Sequence, residues 1–287
     1  MVETADRSAL FEPLSPAGGV RIAGIDLSLA LSPETVATIR AAILAHHIVV
    51  FPRQSLTREQ QFAFAANLGT VEAHGGERGE TKRRDVAHVL SNLDADGNPT
   101  IRLSAAANYH WHTDKPYRPA PPALTLLYAV EVPPSGAAPG RDDHGGDDHG
   151  GGTEFANTAL AYDALSEKTR RRIAGLRVAF RPAFDSGRAA VAHPLVRTHP
   201  ETGRKALYLG NHATHIVGLP QSESDALLTE LLEHATTPGF VYAHRWRQGD
   251  LVVWDNRCLL HRLVLGEALR RYRRIMYRSV VAGSAPF

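Results

Sequence analysis

The stretch Tyr109-His110-Trp111-His112-Thr113-Asp114 places a histidine, His112, two residues before a carboxylate, Asp114. In an extended segment, side chains two residues apart lie on one face. A neutral imidazole and a carboxylate on one face supply two of the three ligands in the two-histidine, one-carboxylate set that holds non-haem Fe(II). A His-x-Asp pair also occurs by chance, so this stretch predicts an iron site only if a second histidine joins it.

Length and charge restrict the classes of protein to consider. The chain has 287 residues, and we expect residues 1–287 to form a single domain. Lys and Arg number 32 and Asp and Glu number 30, so the net charge of +2 predicts no general attraction to nucleic acid or membranes. The single cysteine, Cys258, excludes an intramolecular disulfide. The N-terminal sequence has no secretory signal and no apolar run is long enough to cross a bilayer, which favours the cytoplasm.

Hydrophobic patterning and capping residues predict many short strands with helices at the start and along one side. Ser32 before Pro33, the pair Thr57 and Gln60, and the pair Ser222 and Asp225 are helix-start signals. The predicted elements are strands at residues 20–28, 48–51, 86–93, 123–132, 240–246, 249–257 and 273–281, a hairpin at 194–209, and helices at 33–45, 58–68, 162–174 and from 222 onward. This arrangement predicts an α+β fold, an antiparallel sandwich or jelly roll covered by helices.

Residues 135–152 differ in composition from the rest of the chain. Gly, Pro, Asp and His dominate, as in Arg141-Asp142-Asp143-His144-Gly145-Gly146-Asp147-Asp148-His149-Gly150. Such a segment cannot bury a core, and its glycines leave the acidic and histidine side chains unorganised. We therefore expect a solvated flexible loop with no catalytic role.

The chain has 15 histidines from which a third ligand can come, and His261 is the strongest candidate. It follows a predicted strand and turn, and it precedes a basic strand in which Arg274 and Arg278 share a face with Met276. Two arginines beside a metal are suited to bidentate binding of carboxylates. The alternative is a solvated basic run, which describes most of the neighbouring arginines. Nucleic-acid binding is a poorer interpretation because no aromatic stacking platform accompanies them.

These motifs together resemble a known family, the taurine dioxygenase and 2,4-dichlorophenoxyacetate dioxygenase (TauD/TfdA) group of Fe(II)- and 2-oxoglutarate-dependent oxygenases. The resemblance covers nearly the whole chain, and the order and spacing of its motifs are specific. It rests on residues 111–114, on Pro133-Pro134-Ser135-Gly136 leading to Gly152-Thr153-Glu154-Phe155, on 193–200, on Trp254-Asp255-Asn256-Arg257 with His261, and on 274–278.

The resemblance implies a double-stranded β-helix, a cupin-like jelly roll, with helices around it. It also implies residue roles, which are: His112, Asp114 and His261 as catalytic iron ligands; Thr153 and Arg274 holding the distal carboxylate of 2-oxoglutarate; Arg278 meeting the anionic group of the substrate; and His74, Asn108, Lys115 and Tyr117 as further substrate contacts. In two places the chain departs from the family pattern. The Asp/His/Gly segment is inserted before Thr153, and residues 262–269 lack the usual Asp-Tyr turn.

The function that the resemblance implies is hydroxylation of a C–H bond in a small anionic organic substrate, a sulfonate, carboxylate or aryloxy acid. Fe(II), 2-oxoglutarate and O2 take part, succinate and CO2 are released, and a C–heteroatom bond breaks where the hydroxylated carbon carries one. The alternatives are a biosynthetic hydroxylase or desaturase acting on an amino acid or natural-product intermediate, and a cupin-like binding module without turnover. We expect neither nucleic acid nor membrane as a partner, and homo-oligomer formation is left open.

Overall fold

The computed structural model describes residues 10–73, 86–101, 107–134, 151–182 and 187–287. The strands are β1 Leu10–Ser15, β2 Gly18–Ala23, β3 Ile48–Phe51, β4 His88–Ser91, β5 Leu124–Glu131, β6 Thr153–Asn157, β7 Arg177–Phe180, β8 Val191–Pro194, β9 Val196–Thr198, β10 Lys205–Leu207, β11 Ala213–Ile216, β12 Val241–His244, β13 Leu251–Asp255, β14 Leu259–Leu263 and β15 Ile275–Val281. The helices are α1 Pro33–His46, α2 Arg58–Leu68, α3 Thr158–Ala164, α4 Glu167–Ile173, α5 Gln221–Ala235 and α6 Ala268–Arg271.

The largest sheet in the described part of the chain has seven strands, in the order β1-β2-β3-β13-β5-β15-β4. All neighbours in it are antiparallel except β2 and β3. A three-stranded sheet, β12-β6-β14, packs its apolar side chains against one face of the large sheet. Helices α1 and α2 cover the other face. The structure therefore confirms the predicted α+β jelly roll with flanking helices.

Strand β3 contributes apolar side chains to both faces of the large sheet. Ile48 and Val50 join the core between the two sheets, while Val49 and Phe51 pack against the helices. All four residues are buried, as expected for a strand that is covered on both sides. The same alternation in β5 directs Leu124, Leu126 and Tyr128 toward the helices. Thr125 lies on the opposite face of the sheet.

The first two helices begin and end close to where the sequence predicts. The Ser32 hydroxyl accepts a hydrogen bond from the backbone N–H of Thr35, and Thr57 and Gln60 form the predicted capping box. Helix α2 ends before Gly69, as predicted. These caps depend on neighbouring residues only, which is why they can be recognised without the tertiary structure.

Three local predictions were wrong. Residues 162–174 are not one helix, because α3 ends at Ala164 with Leu165 extended and Ser166 caps α4 through the N–H of Thr169. Helix α5 begins at Gln221 with no side-chain cap, so Ser222 lies inside it rather than at its start. The early strand ends at Ala23 rather than at residue 28, and it pairs with β1, which the sequence did not predict.

Two further expectations concern loops and membranes. Residues 135–150, nearly all of the predicted loop at 135–152, lie outside the described residues. Among the helices that are described, none is both long and apolar enough to span a bilayer.

Gly283 provides a test of how the C-terminal segment packs. A Cβ atom there would lie 2.3 Å from the Pro121 carbonyl oxygen and 2.7 Å from the Ala123 nitrogen, both backbone atoms. Because backbone atoms cannot turn away, we expect Gly283→Ala to lower the free energy of unfolding by about 1–3 kcal/mol, measured by urea denaturation. Gly239→Ala is the control, since nothing lies within 4 Å of a Cβ at Gly239. Equal stability of the two variants would contradict this packing.

Candidate active site

The two candidate ligand histidines are held together by their backbones. The N–H of His112 donates to the carbonyl of His261 at 3.0 Å, and the N–H of His261 donates to the carbonyl of His112 at 2.7 Å. This isolated antiparallel bridge sets the two rings 4.2 Å apart, centroid to centroid. Asp114 follows on the same segment, and one ligand atom from each of the three residues lies within 4.8 Å of the other two. The structure thus brings together the three residues that the sequence selected.

The segment before Asp114 also contacts Gly210 and Asn211 on its other side. The N–H of Asn211 donates to the Trp111 carbonyl at 2.9 Å. Gly210 has a φ of +125°, and a Cβ there would lie 3.0 Å from that carbonyl oxygen and 3.2 Å from the Cα of His112. Glycine is therefore required by both its backbone angle and the close approach of the segment.

Both candidate ligand histidines are in the neutral protonation state that metal binding requires. Burial lowers the pKa of His112 and of His261, which keeps both imidazoles neutral near pH 7. Nδ1 of His112 lies 2.8 Å from the His110 carbonyl oxygen, so Nδ1 carries the proton and Nε2 keeps its lone pair. Nδ1 of His261 has no hydrogen-bond partner among the described residues, so no hydrogen bond at Nδ1 selects its tautomer.

Asp114 is the anionic member of the set. Burial opposes its ionisation, but the Arg278 guanidinium, the two histidines and the Thr125 hydroxyl together outweigh that cost and hold the pKa of the carboxyl well below its usual range. Nη2 of Arg278 lies 2.6 Å from Oδ1, and the Thr125 hydroxyl lies 2.5 Å from Oδ2. Two neutral imidazoles and one carboxylate form the donor set typical of non-haem Fe(II), so these residues fit that metal.

Thr153 and Arg274 are both close to Gly151, Thr153 because it follows two residues later in the chain and Arg274 through a hydrogen bond. Thr153 begins β6, and its Oγ1 accepts the indole N–H of Trp246 at 3.0 Å, which leaves its own hydroxyl hydrogen to donate elsewhere. Nε of Arg274 donates to the Gly151 carbonyl at 3.2 Å, and burial lowers the pKa of its guanidinium to about 10. In the part of the chain that the structure describes, no carboxylate forms an ion pair with Arg274. The pair therefore offers a cation and a hydroxyl to an incoming carboxylate.

The residues predicted to contact substrate are in different situations. Tyr117 lies edge-on to His212, with ring centroids 5.2 Å apart, and burial raises its pKa. Lys115 has a φ of 48° and directs its ammonium to Glu72 at 2.6 Å, so its charge is already compensated. Asn108 is exposed on a short helical turn. His74 lies outside the described residues.

Glu72 also accepts an ion pair from Arg118, at 2.8 Å. One carboxylate that is largely buried therefore neutralises two cations beside the ligand segment. This pairing was not predicted, because nothing in the sequence links residue 72 to residues 115 and 118.

Other parts of the site were also missed from the sequence. His212 is buried, with its pKa lowered to about 4 chiefly by that burial, and its ring stands edge-on to His112 with centroids 6.3 Å apart. Thr125 was read only as part of a predicted strand, and Asn256 only as part of a predicted strand and of the Trp254-Asp255-Asn256-Arg257 motif, with no role assigned to either. The one signal that pointed to Thr125 was a hydroxyl within an otherwise apolar strand.

Comparisons with known proteins agree with this geometry. The family model described as "Taurine catabolism dioxygenase TauD, TfdA family" matches residues 10–279. The α-ketoglutarate-dependent 2,4-dichlorophenoxyacetate dioxygenase of Cupriavidus pinatubonensis is 37% identical over 280 residues, covering 89% of this chain and 92% of that protein. The (S)-phenoxypropionate/α-ketoglutarate dioxygenase of Sphingobium herbicidovorans is 33% identical over 300 residues, with 94% of each chain covered.

A solved structure supports the same assignment. The crystal structure of a taurine dioxygenase from Burkholderia xenovorans superimposes with a TM-score of 0.81 at 34% identity, covering 97% of this chain and 92% of that one. The cofactor and co-substrates of such enzymes are Fe(II), 2-oxoglutarate and O2. The chain belongs to the TauD/TfdA family and is a 2-oxoglutarate-dependent non-haem iron dioxygenase.

Proposed function

We propose that this dioxygenase oxidises a C–H bond in a small aryloxy acid, an aromatic ether that carries a carboxylate. The proposal rests on one observation, that a cation and two aromatic rings lie beside the ligand set. The Arg278 guanidinium lies 2.6 Å from Asp114, and Tyr117 packs edge-on against His212 nearby. A guanidinium suits the carboxylate and the rings suit the aryl group. The 37% identity to a 2,4-dichlorophenoxyacetate dioxygenase supports the same substrate class.

His112, Asp114 and His261 would hold Fe(II), which leaves coordination positions for 2-oxoglutarate and O2. When bound, the metal and its co-substrates supply the oxidising chemistry and release succinate and CO2. The protein holds the reacting C–H bond at the metal and excludes water from it. The rings of Tyr117 and His212 are suited to this task because both are largely removed from solvent.

Thr153 and Arg274 would bind the distal carboxylate of 2-oxoglutarate. The Arg274 guanidinium donates to a main-chain carbonyl and forms no ion pair with a described carboxylate, and the Thr153 hydroxyl is oriented by Trp246 so that its hydrogen points away from the indole. An ionised carboxylate would satisfy both donors, and charge-assisted hydrogen bonds of this kind are among the stronger ones in proteins.

The nature of the oxidised carbon decides the product. Replacing C–H by C–OH on a carbon that also bears an aryl ether oxygen gives a hemiacetal. Its collapse breaks the C–O bond, moves the hydroxyl proton to the leaving oxygen, and yields a phenol and an oxo acid. A substrate without that heteroatom would instead leave as a stable alcohol, the outcome expected of a biosynthetic hydroxylase.

A substrate panel tests the proposal. Protein loaded with Fe(II) is given 2-oxoglutarate and O2 with phenoxyacetate, taurine, an alkyl sulfonate or an amino acid, and both succinate and the oxidised product are quantified. We expect phenoxyacetate to yield phenol in step with succinate, because a substrate held at the metal couples the two reactions. Succinate without phenol, or coupled product from taurine or the amino acid instead, would contradict the aryloxy acid assignment.

The same assay checks the metal ligands. Asp114→Ala should abolish succinate release, since it removes the anionic ligand, whereas His46→Ala changes a histidine at the end of α1 and should leave turnover intact. Succinate release by Asp114→Ala at the parent rate would refute the ligand set. It would also refute the alternative of a biosynthetic hydroxylase, since that enzyme would use the same metal ligands.

Arg274 and its neighbour Arg273 form a matched pair. Arg274→Ala removes the proposed partner of the distal carboxylate, so the KM for 2-oxoglutarate should rise on the order of 100-fold. Arg273 is half-exposed and pairs with Glu131 at 3.0 Å, so Arg273→Ala should change that KM little. The KM is obtained from initial rates of succinate formation. An unchanged 2-oxoglutarate KM in Arg274→Ala would refute the ion pair.

A further inference from the structure

A chain of hydrogen bonds runs through the protein interior from Trp254 to Asp114. The indole Nε1 of Trp254 lies 3.0 Å from Oδ1 of Asn256, and Nδ2 of Asn256 lies 2.9 Å from the hydroxyl of Thr125. That hydroxyl lies 2.5 Å from Oδ2 of Asp114. All four residues are buried, and Thr125 has no exposed surface at all.

The chemistry of the indole sets the direction of every bond in this chain. An indole N–H can only donate, so the amide oxygen of Asn256 must face Trp254. The amide nitrogen of Asn256 therefore faces Thr125 and must donate to it. Since the Thr125 hydroxyl accepts that bond, its single hydrogen is left for Asp114. No member can reverse its role without leaving a buried donor unsatisfied, which costs about 1–3 kcal/mol.

The same residues reach the rest of the ligand set. The Trp254 ring packs 4.9 Å from the ring of His261, centroid to centroid. The carbonyl of Asn256 accepts the hydroxyl of Thr113 at 2.8 Å, which restrains the residue between His112 and Asp114. Strand pairing explains this convergence, because Trp254 in β13 lies directly opposite Thr125 in β5.

Arg278 is a second partner of Asp114, but its situation differs. Its side chain is 20% exposed, and it is the residue proposed above to meet the substrate carboxylate. If Arg278 turns to an incoming anion, Thr125 remains as the donor that restrains Asp114 among the described residues. The buried chain is thus the restraint that does not depend on substrate.

We propose that Thr125 is a positioning residue, which acts through the chain Trp254–Asn256–Thr125 to hold the Asp114 carboxylate in the orientation that binds the metal. This rests on the ligand set of the proposed function. The orienting partners of metal ligands typically contribute about 10–100-fold in affinity. Thr125 therefore sets the affinity for the divalent metal, although it does not touch the metal.

The test uses Thr125→Val, which keeps the shape of the side chain and loses the hydroxyl, and Thr125→Ser, which keeps the hydroxyl. Mn(II) is titrated into the metal-free protein, and free Mn(II) is measured by electron paramagnetic resonance. We expect Thr125→Val to bind Mn(II) about tenfold or more weakly, with Thr125→Ser close to the parent. The visible spectrum of the Co(II) form should change in the valine variant and be restored in the serine variant.

Ser279→Ala is the matched control. Ser279 carries a buried hydroxyl on β15 that has no hydrogen-bond partner among the described residues, and its loss should leave Mn(II) affinity unchanged. If Thr125→Val proves unstable in urea, Trp254→Phe provides a second variant, because it retains a ring against His261 and removes the donor that orients Asn256. Weaker Mn(II) binding by Trp254→Phe supports the proposal.

Parent-like Mn(II) affinity and an unchanged Co(II) spectrum in Thr125→Val would overturn the proposal, as would parent-like affinity in Trp254→Phe where the valine variant does not fold. Failure of the ligand set itself has a different signature. In that case the parent protein would show no Mn(II) binding that Asp114→Ala removes, and the role of Thr125 would fall with it.

Discussion

Two backbone hydrogen bonds, at 2.7 and 3.0 Å between His112 and His261, hold the site together. They join a short segment outside the named strands to β14, and they fix the two imidazoles side by side before any ligand binds. Backbone bonds set this geometry more rigidly than flexible side chains alone would. The surrounding jelly roll keeps both segments of this bridge in place. Strand β14 pairs with β6, and Gly210 packs against the other side of the ligand segment.

Burial then determines the charge state of the ligands. The two imidazoles stay neutral because desolvation disfavours their cationic form, while Asp114 stays anionic because its neighbours, chiefly Arg278, together offset its desolvation. Arg274 differs from these residues, because its guanidinium donates to the Gly151 carbonyl and forms no ion pair with a described carboxylate. A partly buried cation of this kind is stabilised when an anion binds to it, which is the role proposed above for 2-oxoglutarate.

Much of the local structure was predictable, because its causes lie within a few residues. The caps at Ser32 and Thr57 and the buried strand Ile48–Phe51 depend on neighbouring side chains and on apolar patterning. The errors have equally local causes. Ser166 interrupts an otherwise continuous helical pattern, and Ser222 has the spacing of a cap but lies one residue inside the helix.

The sequence by itself determined the kind of site: the His112 and Asp114 spacing, the choice of His261, and the family that these and the other motifs indicate. Only the tertiary structure decided how those residues are held and paired. Thr125 meets Asp114, Asn256 and Trp254 because β5 and β13 are neighbours in the large sheet, and Glu72 neutralises Lys115 across a long stretch of chain. Contacts between residues distant in sequence depend on strand register and packing, which no local pattern specifies.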